Sequence, residues 1–336
     1  MVCGIWRGFS LSEVWIDKYR PKSFDEVLGQ SAVVKRIRSY VEAGTIPNLL
    51  FHGREGVGKS TLVYLIAKGI YGGGFEDNLT EIDASDFFNR GKAYLEADPR
   101  FEHFYEKNKP VIETFKEVIN EYASLMPIDA DFKIIFFRNA DALTLDAQQA
   151  LRRMIERYNR TCRFIFTTKR PSKIIPPLRS RALNLYLGKI EDELIEEHLK
   201  KIMEKEGLTF DEKTLQTIIS RASGSLGQAI YALQYYSLAG KLPEIRDDKI
   251  DELLSLSLSG DFVEVAKMIE ALTADSGFTG YEVIDMIHDR ITSGDYPLSK
   301  QLEEVILIMA DFDMRIIEGA NERIQLEALL SKISEV

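Results

Sequence analysis

The stretch Gly53-Arg54-Glu55-Gly56-Val57-Gly58-Lys59-Ser60 restricts what this chain can fold into more than any other. It fits G-x-x-x-x-G-K-[ST], a loop whose glycines let backbone N–H groups turn inward around phosphate oxygens. The motif carries meaning only between a strand and a helix. Asn48-Leu49-Leu50-Phe51-His52 before it is a short apolar strand candidate, and Thr61 to Ala67 after it has apolar residues at helical spacing. In that setting Lys59 reaches the β and γ phosphates of ATP, and the Ser60 hydroxyl holds Mg2+. The helix N-terminus adds partial positive charge. The expected nucleotide contacts in the loop are Gly53, Gly56, Gly58, Lys59, Ser60 and Thr61.

Strand and helix patterns alternate around this loop. Val33 to Ala43 reads as an amphipathic helix, Leu79 to Asp83 as a strand and Val111 to Ser124 as a helix. Lys133 to Phe137 is an apolar run of the kind buried on both faces of a parallel sheet. Thr144 is the expected cap of a helix running to about Tyr158, and Cys162 to Thr168 is a further strand. The pattern predicts an α/β fold with a parallel sheet and crossover helices, ligands binding beyond the carboxyl ends of the strands. Pro21 restricts Arg20 to extended geometry, so Val14 to Pro21 reads as a lead-in rather than a helix. Trp15 and Tyr19 there either pack the arm or wall an adenine pocket. Phe87 to Pro110, with aromatics including Phe87, Phe101, Phe104 and Tyr105, is either a helical insertion or a partner-facing loop. Beyond Gly188 only helices are expected, over Glu191–Glu206, Asp211–Ala222 and Leu226–Ala239, then Phe262–Leu272, Tyr281–Thr292 and Leu302–Leu330.

At 336 residues the chain holds two or three domains. Cys3 and Cys162 are its only cysteines, too few for a disulfide framework or a zinc site, which fits a reducing compartment. No apolar run is long enough to span a membrane. Residues 1–12 lack the apolar core of a signal peptide and read as an extension. The net charge of −10 argues against a wholesale nucleic-acid coat. A local basic surface is still compatible with it. From Arg152 to Arg181 lie Arg152, Arg153, Arg157, Arg160, Arg163, Lys169, Arg170, Lys173, Arg179 and Arg181, with Glu156 the one acid. That segment is either a solvated face or a binding surface.

Several stretches together resemble one family. In order stand Val14-Trp15-Ile16-Asp17-Lys18-Tyr19-Arg20-Pro21, the phosphate loop, Ala84-Ser85-Asp86, Asp141-Ala142-Leu143-Thr144-Leu145-Asp146-Ala147-Gln148-Gln149-Ala150-Leu151-Arg152-Arg153, and Pro177-Leu178-Arg179-Ser180-Arg181. This combination resembles a small subunit of the clamp loader replication factor C, archaeal or eukaryotic in type, within the AAA+ superfamily. The resemblance implies an AAA+ nucleotide-binding domain over 13–187, a small helical lid over 188–244 and a helical collar over 245–336. It implies a pentameric ring with other small and large subunits, which uses ATP to load a sliding clamp of the PCNA type onto primer–template DNA. It places Tyr19, Arg20 and Pro21 beside the nucleotide and Arg152 and Arg153 on DNA. Arg181 becomes an arginine finger for the ATP of the neighbouring subunit. The expected location is the cytoplasm and nucleoid, or the nucleus of a eukaryote.

The departures from the family pattern are as informative. After Phe137 the family has two adjacent carboxylates, one organising Mg2+ and one polarising the attacking water. Here stand Arg138 and Asn139, which can do neither. Lys169 occupies the place of a polar sensor. Gly224-Ser225-Leu226-Gly227-Gln228-Ala229 replaces Gly-x-x-Arg-Arg-Ala, so a sensor arginine is absent. The expectation is ATP binding with little or no hydrolysis at this chain's own loop, Mg2+ itself being doubtful, and catalysis at a neighbour through Arg181. The alternatives are an active AAA+ motor, a small-molecule kinase, and a ring scaffold that loads nothing.

Overall fold

The computed structural model describes residues 14–98, 100–101, 104, 106, 108–209, 211–240, 246–275, 279–292, 301–318 and 321–336. The extension over 1–12 lies outside them. The chain divides into two compact units between residues 242 and 243.

In the first unit, one turn of helix α1 (Trp15–Lys18) and helix α2 (Ser31–Glu42) precede strand β1 (Leu49–His52). Then follow α3 (Lys59–Tyr71), β2 (Leu79–Asp83), α4 (Lys92–Ala97), α5 (Val111–Ser124), β3 (Lys133–Arg138), α6 (Leu145–Arg157), β4 (Cys162–Thr168), α7 (Pro176–Arg179) and β5 (Leu183–Tyr186). The five strands are parallel in the order β2-β3-β4-β1-β5. Along β3, Ile135 and Phe137 enter the core shared with α5 and α6, while Ile134 and Phe136 enter the opposite core with α3. That alternation across a sheet covered on both faces is why the strand is apolar throughout. Phe137 of β3 stacks on Phe166 of β4 at 5.3 Å, tying adjacent strands on one face. Thr144 caps α6 as expected, accepting from Ala147 N at 3.3 Å.

Two expectations change. The lead-in is helical over one turn: Pro21 limits only its own neighbour, and Tyr19 N closes on Trp15 O at 2.9 Å. Of the two readings of Trp15, packing holds, because its ring is buried with Ile195, Leu199, Ile219 and Leu233. The 87–110 stretch contributes to the core rather than forming a free loop. Phe87, Leu95 and Phe101 are buried, and Phe87 meets Phe115 edge-on at 5.3 Å. Tyr105 lies outside the described residues.

Helices α8 (Asp192–Glu206), α9 (Glu212–Ala222) and α10 (Leu226–Ala239) complete this unit around their own apolar cluster. The second unit is α11 (Arg246–Ser259), α12 (Phe262–Glu270), α13 (Gly280–Thr292), α14 (Leu302–Glu318) and α15 (Glu322–Ile333). The helical spacing over Leu302–Leu330 is thus carried by two helices. Asn321 starts the second, its side chain accepting from Arg323 N and Ile324 N, a cap that apolar periodicity overlooks. Inside this unit the Ser257 hydroxyl donates to Leu330 O at 2.7 Å, and Arg290 forms a two-point pair with Asp251.

If Phe87 is core, Phe87→Ala lowers the free energy of unfolding by about 3–5 kcal/mol. Urea unfolding checks this; a change under about 0.5 kcal/mol would place the ring on a surface instead.

Candidate functional site

The phosphate loop spans the gap between β1 and α3. Its start is tied to the next strand, Gly53 N donating to Thr168 O at 3.3 Å. Lys59, Ser60 and Thr61, all half-buried, form the first turn of α3, after Gly58. The Lys59 ammonium donates to Gly53 O at 2.7 Å and Arg54 O at 2.5 Å. Burial, and then the nearby charge of Lys169, push its pKa down from 10.5 to about 8, while Glu55 and Asp141 pull the other way. The register that sets His52 beside Thr168 brings Lys169 to the mouth of the loop, where its ammonium pairs with the Glu55 carboxylate. Asp141 accepts from the Thr168 hydroxyl at 2.6 Å and from Lys169 N at 3.3 Å, so it braces the end of β4.

Carboxylates stand near the end of β3, but they come from β2. Parallel register sets Asp83 against Arg138. Asn139 donates to both Asp83 oxygens, at 3.1 and 2.9 Å, and Asp83 Oδ1 also accepts from Ser85 N at 2.9 Å. Arg138 bonds Glu81 at 3.0 Å and comes within 3.7 Å of Asp83. The other Glu81 oxygen accepts from the Tyr64 hydroxyl at 2.5 Å. Burial and that bond push the Tyr64 phenol up to about 12. Glu81 and Asp83 were not legible as site residues, because only strand pairing shows that the end of β2 adjoins the end of β3.

Magnesium needs near-octahedral oxygen ligation and keeps several of its waters. Asp83 and Glu81 already spend their oxygens on Asn139, Ser85, Tyr64 and Arg138, and the guanidinium adds positive charge. Ser60 is a suitable ligand type, and phosphate oxygens and waters would complete such a shell, but neither Glu81 nor Asp83 is open to order those waters. Among the described residues no group of three or more Asp, Glu, His or Cys side chains is placed to bind a metal. The residues present do not fit Mg2+.

The lid meets the loop backbone to backbone. Gly227 N donates to Gly56 O at 3.0 Å. A Cβ on Gly227 would lie 2.9 Å from Gly56 Cα, and one on Gly56 would lie 2.2 Å from Ser225 Oγ. Gly56 also has φ +71°, where a side chain is strained. An arginine at position 227 is therefore incompatible with this approach, which gives its absence a steric reason. The lead-in residues separate. Tyr19 donates to Glu206 of α8 at 2.5 Å, whereas the Arg20 guanidinium lies 4.9 Å over the ring of Tyr64 on α3. Pro21, the next residue, is half-buried.

On α6, Arg152 and Arg153 are exposed. Gln148, one turn earlier, is buried and fully employed. Its amide nitrogen donates to Leu143 O and Lys173 O at 3.0 Å each, and its oxygen accepts from Ile175 N at 2.8 Å. It thereby fixes the segment leading into α7 and Ser180-Arg181. Arg181 Nε donates to Glu156 Oε1 at 2.8 Å and Nη1 to Pro177 O at 2.7 Å. The one acid of the basic segment thus holds Arg181, on the same helix as Arg152 and Arg153.

Two family models match the chain: the ATPase family associated with various cellular activities over residues 49–187 and the replication factor C C-terminal domain over 245–332. A replication factor C small subunit of Methanococcus vannielii is 35% identical over 337 residues, 96% of this chain and 99% of that protein. Its counterpart in Archaeoglobus fulgidus is 35% identical over 334 residues, 96% of this chain and 97% of that one. The solved Thermotoga maritima RuvB Holliday junction branch migration motor aligns with 80% of this chain and 79% of its own, at 18% identity and a TM-score of 0.48.

Since the Lys59 pKa falls from 10.5 to about 8 on folding, the folded state carries a penalty for that charge. The penalty is complete below pH 8, fades across the window between the two values and is absent above it. Lys59→Met is expected to stabilise the nucleotide-free chain at pH 7 by roughly 1–3 kcal/mol, at about 1.4 per pKa unit with a discount for partial solvent access. The gain disappears above the unfolded pKa of 10.5. Urea unfolding at neutral and high pH tests it, and an equal gain at both would rule out charge as the cause.

Proposed function

Because the chain belongs to the replication factor C small-subunit family, we propose that it is a clamp-loader subunit that binds ATP without appreciable turnover and lends Arg181 to a neighbour's ATP. The observation carrying this reading is the end of β3. Arg138 and Asn139 stand where a hydrolytic site needs carboxylates, and both are bound to Glu81 and Asp83 of β2. Neither side chain acts as a base. The loop itself keeps Lys59 and the first turn of α3, which suffice for phosphate binding.

In this reading residues 13–187 form the nucleotide-binding domain, 188–244 the lid and 245–336 the collar that joins other small and large subunits. Val263, Leu307, Met314 and Ile324 are exposed apolar residues of the last unit, suited to subunit packing. Arg181 leaves Glu156 on assembly and meets the developing negative charge on a neighbour's γ-phosphoryl group. Its guanidinium contributes electrostatic stabilisation there, the role for which such fingers serve. Arg152 and Arg153 contact primer–template phosphates, which positions DNA without reading sequence. The clamp, of the PCNA type, and DNA are the partners.

Reconstitution with partner subunits tests the assignment. Arg181→Ala is expected to lower clamp loading and ring ATPase about tenfold or more while leaving this chain's own bound nucleotide unchanged. Unaltered loading would remove Arg181 from the role, and robust hydrolysis by the chain alone, abolished by Lys59→Ala, would favour an active motor. Replacing both Arg152 and Arg153 by Ala is expected to weaken DNA binding and reduce the salt slope by about 2, near 0.9 per phosphate contact. An unchanged slope would show that these arginines do not touch phosphate.

A further inference from the structure

We propose that this loop binds the nucleotide's polyphosphate as the metal-free anion, with Lys169 at the mouth of the loop taking the place of the divalent cation. The inference rests on reading the loop as a nucleotide site, and it concerns the form of nucleotide that the site accepts.

The charges around the loop carry the argument. A conventional site of this kind has one lysine, a hydroxyl and a carboxylate that organises the hydrated ion. Here the two carboxylates of β2 are closed. Asp83 is bonded by Asn139 and Ser85 and Glu81 by Tyr64 and Arg138, while Asp141 commits its Oδ1 to Thr168 and Lys169 N. Two ammonium groups serve the loop: Lys59 opens α3 directly after it, and Lys169, just past the end of β4, pairs with Glu55 inside it. Lys59 is met by two backbone carbonyls rather than by a counter-ion in hydrogen-bond contact. Lys169 is met by Glu55, which belongs to the loop itself.

That last pair is the key to the exchange. Its side chains are 48% and 63% exposed, so it is a surface ion pair of small net strength. An incoming polyphosphate, with several negative charges, displaces the single carboxylate of Glu55 and takes Lys169 at little cost. A hydrated Mg2+ would instead face two ammonium groups, with Glu81 and Asp83 held by Arg138 and Asn139, and like charge disfavours it.

The test is ATP titration of the full chain by calorimetry, in excess Mg2+ and in excess EDTA. The expected result is a Kd in EDTA equal to or tighter than that in Mg2+, within about threefold, a difference below 1 kcal/mol. Binding that weakens more than about tenfold on removing Mg2+ overturns the inference while leaving the nucleotide reading intact. An absence of binding in both conditions overturns both. Two variants separate the roles in EDTA. Lys169→Ala is expected to weaken binding about tenfold, and Glu55→Gln to tighten it by releasing Lys169. If Lys169→Ala leaves the Kd in EDTA unchanged, Lys169 does not replace the cation and the inference falls.

Discussion

The middle strands of the sheet are covered on both faces, and this constraint decides where charge is allowed. Along β3 the side chains from Ile134 to Phe137 are fully buried, as are Phe164 and Ile165 in β4. An ionised group within these runs would lose its hydration with no partner to replace it. Charge therefore gathers at the strand ends. Lys133 enters at the start of β3, its ammonium donating to Tyr122 O at 2.9 Å. Arg138, Asp83 and Lys169 stand at or just beyond the carboxyl ends, where parallel topology also leaves the crevice that ligands use.

Within that crevice the chain exchanges the usual sign of its groups. β3 ends in a cation and an amide, and β2 answers with Glu81 and Asp83. The result is a closed polar network in which each carboxylate is satisfied from inside the protein. Such a network holds the sheet edge together, because removing one partner would leave an unpaired charge. The same closure withdraws these oxygens from metal or water chemistry. Structural satisfaction of these carboxylates and their engagement away from the phosphate loop are here two consequences of one set of hydrogen bonds.

The lid shows a second exchange. Where a long cationic side chain is expected to reach across, two glycines bring the backbones of lid and loop into direct contact. The gain is a hydrogen bond from Gly227 to Gly56, and the restriction is that no side chain fits at either position without a shift. Gln148 and Glu156 of α6 make a comparable link. One fixes the approach to α7, and the other holds Arg181. The basic helix and the candidate finger thus share a support.

Local rules made much of this legible in the residues alone. The glycine loop, the apolar runs of β1, β3 and β4, the Thr144 cap and the glycine-punctuated lid helices each depend on neighbours in sequence, so the chain itself determined them. The absence of carboxylates at positions 138 and 139 was equally plain. Tertiary structure decided the rest, because it depends on partners far apart in the chain. The end of β2 supplies the missing carboxylates only once strands pair. Phe87 and Phe101 become core only when α5 packs beside them, and Trp15 only when the lid helices close around it. Glu156 and Lys169 are surface charges in the sequence, and it is the fold that gives one Arg181 and the other the mouth of the phosphate loop.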